Sequence, residues 1–188
     1  MKNHFIIITG PKHSGKSKCA MALAEITGAL TADLDDLVTQ ETGKTPRELF
    51  KEGPEIFRKA ETSALASLAR QVKPEDSLII AAGGGLIDNS EALSLLSRHK
   101  EILTVYLDVT PETAWQRILN TAARDGELPP FLKTENPKET HLALHTRRAE
   151  GYKAMAQFTV SAEDKTPEEI AGEIIRHFQL EENLGIPQ

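Results

Sequence analysis

The sequence predicts an α/β sandwich around a parallel sheet, and three observations lead there. Short apolar runs alternate with amphipathic stretches along the 188 residues, the clearest runs are apolar at consecutive positions, and the first run leads straight into a glycine-rich loop. Strands covered on both faces read as unbroken apolar, β-branched segments, and parallel neighbours need crossovers that helices supply. Nothing marks a second domain, so residues 1–188 are read as one unit, a size that a single core serves.

Taken in order, residues 5–8 (FIII) form the first strand and 16–26 the first helix, with a weaker strand at 29–32. Thr45 then opens a helix, because it is an N-cap followed by Pro46 at the first helical position and by Glu48, three residues on, placed to return a hydrogen bond. A long helix over 54–71, the strand 78–82 (LIIAA), a helix over 91–98 and the strand 102–107 (ILTVYL) follow. Helix 111–122 gives way to 123–137, whose polar residues and Pro129-Pro130 pair forbid a continuous helix, so a surface loop or mobile lid is expected. Helix 138–155, a weaker strand at 158–160 and helix 167–178, behind a second capping box from Thr166 to Glu169, complete the chain.

Composition narrows the function. Lys and Arg total 22 against 28 Asp and Glu, a net charge of −6, which disfavours a nucleic-acid partner because such binding is driven by counterion release at basic surfaces. Any anionic ligand must be held by a local basic pocket. No apolar stretch approaches the ~20 residues of a membrane span, and the run before Gly10 is shorter than the ~7–15 residues of a signal peptide's apolar region. The single cysteine, Cys19, excludes an intramolecular disulfide and a cysteine metal cluster, which fits a cytoplasmic protein. Cys19 itself reads as a buried small hydrophobe.

The strongest signal is Gly10-Pro11-Lys12-His13-Ser14-Gly15-Lys16-Ser17, which satisfies G-x-x-x-x-G-K-S/T between a strand and a helix. Glycines let successive backbone N–H groups curl around phosphate oxygens at a helix N-terminus, where the helix dipole also favours negative charge. Gly10, Lys12, Ser14, Gly15, Lys16, Ser17 and the adjoining Lys18 are therefore the expected nucleotide-binding set. Lys16 reaches the terminal phosphates, and the Ser17 hydroxyl ligates Mg²⁺.

The acceptor side is less explicit. Asp33 and Asp35 share a face if the backbone is extended, so that one holds a metal through water and the other accepts a hydrogen bond from a hydroxyl; the alternative is an acidic helix N-cap. Arg58 and Glu61 lie three apart on one helical face, so Glu61 is expected to orient Arg58 as a carboxylate clamp. Gly83-Gly84-Gly85 directly follows a strand, at the sheet's carboxyl edge, where the missing side chains let backbone approach a ligand. His141 and His145 suit a metal by spacing but lack a third ligand, and are read as solvated. Trp115, Ile118 and Leu119 read as a packed helical stripe.

The loop, Asp33-x-Asp35, Phe57-Arg58-x-x-Glu61, Gly83-Gly84-Gly85 and Arg148 with Tyr152 four residues on resemble, in order and spacing, the shikimate kinase family over nearly the whole chain. The resemblance implies a nucleoside monophosphate kinase fold, with a five-stranded parallel sheet of order 2-3-1-4-5, a lid at about 123–137 and an acceptor-binding region at about 33–62. It implies transfer of the γ-phosphoryl of ATP to the 3-hydroxyl of shikimate, with Mg²⁺, by a monomer. Asp33 would hold the metal through water, Asp35 would bind the acceptor hydroxyls and draw the proton, and Arg58 and Arg148 would pair with its carboxylate. Gly83 to Gly85 would close the acceptor pocket, Arg117 would lie on the adenine, and residues 165–167 would form the adenine-side loop.

Two departures stand out. The family's lid carries an arginine before a Pro-Leu-Leu run, and here Pro129 takes its place in Leu128-Pro129-Pro130-Phe131-Leu132. Positioned positive charge supplies much of the catalysis of phosphoryl transfer, so Arg124 or Lys133 is the expected substitute. The run Arg148-Ala149-Glu150-Gly151-Tyr152 also differs from the family's usual Pro-Leu at its third and fourth places. Two alternatives stay open: a kinase of another carboxylated polyol such as gluconate, and a nucleotide-binding homologue with little turnover.

Overall fold

The computed structural model describes residues 5–73, 76–98 and 102–180; the ends of the expected 1–188 unit lie outside the described residues. Five parallel strands form one sheet in the order β2-β3-β1-β4-β5: β1 (Phe5–Thr9), β2 (Leu30–Asp33), β3 (Leu78–Ala81), β4 (Ile102–Asp108) and β5 (Phe158–Ser161). The helices are α1 (Lys16–Thr27), α2 (Leu34–Thr42), α3 (Pro46–Glu52), α4 (Pro54–Gln71), α5 (Ser90–Ser97), α6 (Pro111–Asp125), α7 (Pro137–Met155) and α8 (Pro167–Phe178). Short 3-10 turns at Leu86–Asp88 and Pro130–Leu132 follow β3 and α6.

The period-two geometry of β1 divides the core. Ile6 and Ile8 point to a layer shared with Cys19 and Leu23 of α1 and Ile170 and Ile174 of α8. Ile7 points to the other layer, with Leu34 and Val38 of α2 and Leu65 of α4. Both faces of the central strand are thus covered, as its unbroken apolar run requires. Cys19 is fully buried, and burial pushes its thiol up to about 12, so it acts as a hydrophobe.

Both capping boxes form as expected, at Thr45 with Glu48 and at Thr166 with Glu169. Strand order reverses at β1, which has β3 on one side and β4 on the other, and the chain leaves its carboxyl end as the glycine-rich loop. Open α/β sheets collect ligands at such a switch point. None of the helices among the described residues is long and apolar enough to cross a membrane.

Candidate active site

Gly10 sets the loop's start. Its φ is +143°, and a Cβ there would lie 2.6 Å from the Leu107 carbonyl oxygen, so only glycine fits against β4. Gly15, at φ +101°, caps α1 without a side-chain bond, which leaves the helix's first N–H groups directed at the loop. The Lys16 ammonium donates to the Pro11 carbonyl at 2.8 Å, within the loop. Burial lowers it to about 8 against the opposing pull of Asp35 and Asp33.

Asp33 does two things at once. As the last residue of β2 and the N-cap of α2 it accepts from the Asp35 backbone N–H at 3.0 Å through Oδ1, while Oδ2 accepts from the Ser17 hydroxyl at 2.5 Å. The helix begins at Leu34, so Asp33 and Asp35 do not share a face by strand alternation as one sequence reading expected; the N-cap alternative is what forms. Asp35 reaches the site from the first helical turn: a Cβ on Gly83 would lie 2.9 Å from its Oδ1 and 3.5 Å from Glu61 Oε1. Burial, then the nearby Asp33 charge, raises the Asp35 carboxyl above its ordinary range.

The glycine triplet serves space. Gly83 leaves room for the two carboxylates, and a Cβ on Gly84 would crowd the Gly10 carbonyl at 3.2 Å and the Lys12 N–H at 3.4 Å. Tyr152 donates its hydroxyl to the Gly84 carbonyl at 2.5 Å, tying α7 to the triplet.

The Arg58–Glu61 clamp does not form. Arg58 pairs with Glu55, three residues the other way, and does not line the main cavity. Glu61 is fully buried and accepts from Asn89 Nδ2 at 2.8 Å through Oε2, while its Oε1 has no hydrogen-bond partner among the described residues. Burial raises its carboxyl to about 7, although the Asn89 bond opposes this. Arg148 does line the cavity, and its Nε and Nη2 donate to Asp88 Oδ2 at 2.9 and 2.7 Å. Arg147 takes the same carboxylate at 2.7 and 3.1 Å. Burial alone would raise Asp88, but the two guanidinium groups outweigh it and hold the carboxyl below its ordinary range.

Arg117 binds backbone on both sides of the nucleotide end, donating to the His13 carbonyl at 3.2 Å and to the Ala162 and Glu163 carbonyls at 3.1 and 3.2 Å. Lys165 and Pro167 line the cavity beside it. Helix α6 runs three residues further than expected, to Asp125, so the loop proper spans 126–136. Arg124, in that last helical turn, lines the cavity and makes no ion pair among the described residues. Lys133 pairs with Glu127 and does not line the cavity.

His141 and His145 are buried, contrary to the solvated reading: the Trp115 ring centroid lies 5.5 Å from that of His141, which in turn lies 5.6 Å from that of His145, and His145 sits beside Asp108 and Val109. No group of metal-ligating side chains forms among the described residues. Trp115 and Ile118 pack with Leu132 as the expected stripe, whereas Leu119 stays partly exposed.

One cavity of about 1050 Å³ is lined by Lys12, Lys16, Ser17 and Asp33 together with Asp35, the glycine triplet and Arg148. The sequence reading missed Arg47, Asp88 and Asn89; of these Asn89, the N-cap of α5, stands where a local signal could have found it. A phosphate-binding loop at the reversal of a parallel 2-3-1-4-5 sheet is the signature of the P-loop phosphotransferases with a nucleoside monophosphate kinase-like fold, and this chain is of that class.

A sequence model of the family described as shikimate kinase matches residues 12–179. Shikimate kinase of Vibrio campbellii is 31% identical over 91% of this chain and 94% of its own length, and that of a Synechococcus strain 33% over 91% and 80%. The solved shikimate kinase of Acinetobacter baumannii, in complex with shikimate, superposes with a TM-score of 0.80 at 28% identity, covering 94% of this chain and 93% of that one. A gluconokinase from Sinorhizobium meliloti, 18% identical with a TM-score of 0.61 over 97% and 96%, shares the fold alone. The chain belongs to the shikimate kinase family.

Proposed function

We propose that this protein transfers the γ-phosphoryl of ATP to the 3-hydroxyl of shikimate, giving shikimate 3-phosphate and ADP, as a cytoplasmic monomer. The observation that carries the reading is the shared cavity: a backbone phosphate cradle with Lys16 lines it together with Asp35, the glycine triplet and Arg148.

The roles follow from the chemistry of each group. Lys16 and the loop N–H groups offset charge on the terminal phosphates, and Arg117 with residues 165–167 borders the adenine. Ser17 Oγ and Asp33 Oδ2, 2.5 Å apart, present the hard oxygen ligands that Mg²⁺ takes, so the donor set fits that ion. When bound, Mg²⁺ would supply charge neutralisation on the phosphate oxygens. Asp35 accepts the hydrogen bond of the attacking hydroxyl and takes its proton; its raised carboxyl makes it a better base than an ordinary aspartate. Arg124 supplies the loop-side positive charge that Pro129 does not. Arg148 meets the acceptor carboxylate with the guanidinium edge that Asp88 leaves open, and Arg58 joins it once released from Glu55.

The test is ADP release measured with shikimate, gluconate and nucleoside monophosphates in turn. Saturable release with shikimate alone supports the proposal. Release with gluconate in place of shikimate moves the assignment to another polyol acid, and nucleotide binding without release marks a homologue with little turnover.

A further inference from the structure

Lys133 and Arg47 share one carboxylate, that of Glu127, and the two cations come from different parts of the fold. Lys133 belongs to the same 126–136 loop as Glu127, whereas Arg47 lies in the first turn of α3, 80 residues away. Among the described residues this is the one ion pair joining the α2–α4 side of the cavity to that loop. Packing follows the same line: α3 touches the loop's turn at Pro130–Leu132 and also touches α2, whose first turn holds Asp35. On the far side Leu128, Phe131 and Leu132 bind the loop to Trp115 and Ile118 of α6, the helix that carries Arg117 and Arg124. Arg47 also lines the cavity and spends only Nη1 on Glu127.

We propose that Arg47 is a positioning residue: through Glu127 it couples the acceptor-side helix to the loop and helix that border the nucleotide, so that filling one half of the cavity orders the other. The inference rests on the assignment of nucleotide and acceptor to the two halves. Arg47 and Glu127 are each about one-third exposed, and ion pairs so exposed add little to folding stability. Such a pair changes ligand affinity when the segments it ties must be ordered by either ligand, because the first ligand to bind bears that cost for both. The coupling is reciprocal by linkage.

Calorimetry of Mg·ADP with and without saturating shikimate, and of shikimate with and without Mg·ADP, reads the coupling directly in the wild type, Arg47→Gln, Glu127→Gln and the double variant. In the wild type each ligand should strengthen the other by about 5–50-fold. Both single variants should bring that factor to within about twofold of one, the double variant should go no further, and each ligand alone should bind at least as tightly as in the wild type, since it no longer orders the other half. The reversed pair Arg47→Glu with Glu127→Arg should restore the coupling, which a general loss of structure would not. Amide exchange at 127–134 should slow when shikimate alone is added to the wild type and not when it is added to Arg47→Gln. Undiminished coupling in both variants overturns the inference, as does a tenfold loss of either ligand's solitary binding in Arg47→Gln, which would make Arg47 a direct ligand contact. If the wild type binds either ligand alone but shows no coupling, the inference fails while the functional assignment stands; if it binds neither, both fail.

Discussion

The two halves of the cavity are built differently. On the nucleotide side the chain itself makes the site: backbone N–H groups at the start of α1, Gly10 against β4, and one lysine resting on the loop's own Pro11 carbonyl. The half proposed for the acceptor draws its side chains from separate segments, and the two arginines proposed for it are already occupied by carboxylates of the protein, Arg58, outside the cavity lining, by Glu55 and Arg148 by Asp88. A backbone cradle is preorganised, and its ligand displaces only water. An arginine held by an internal carboxylate must exchange or share that partner, so acceptor affinity is a difference between two similar interactions.

The sharpest way to break this contrast is Lys16→Ala. With the loop's half-buried Lys16 ammonium gone, kcat/KM should fall by ~10³ or more, and a loss below about tenfold would mean that the backbone alone carries the nucleotide end. Arg124→Ala should lower kcat by ~10²–10³ with acceptor KM nearly constant; a wild-type kcat removes Arg124 from the transfer step. Arg148→Ala should raise acceptor KM by ~10–100-fold while nucleotide binding is kept, and equal losses for both ligands would show a structural role instead.

The smallest effect concerns Glu61. Its carboxyl titrates near 4.5 when unfolded and at about 7 in the fold, so between those values the folded protein holds a proton that the unfolded chain has lost. Stability should therefore decline as pH rises from about 4.5 to about 7, by about 1–3 kcal/mol, and Glu61→Gln, which keeps an acceptor for Asn89, should flatten that slope. Denaturant midpoints across this range check it; parallel curves would mean that the carboxylate is accommodated at no cost.

The same contrast explains what could be read in advance. The strands, most helices and the phosphate loop were legible because each is written in consecutive residues: an apolar run, a capping box, a glycine spacing. The acceptor side was not, because its decisive pairings join distant positions. Arg58 has a glutamate three residues away on either side, and sequence alone cannot tell that Glu61 faces inward to Asn89, leaving Glu55 as the partner. Asp88 meets Arg148 across 60 residues and carries no local signal. The helix start at Leu34 was one of two readings left open, because its N-cap, Asp33, also closes a strand. The histidines of α7 were read as solvated for want of a third ligand, and the contact of Trp115, from another helix, with His141 carries no local signal.

The most direct test of the central claim, that one cavity brings a nucleotide's terminal phosphate against a carboxylated alcohol, is a single turnover with γ-labelled ATP, Mg²⁺ and shikimate. The account predicts that the label appears on the 3-hydroxyl of shikimate in step with ADP. Label recovered as inorganic phosphate, or left on ATP while both ligands are bound, would contradict it.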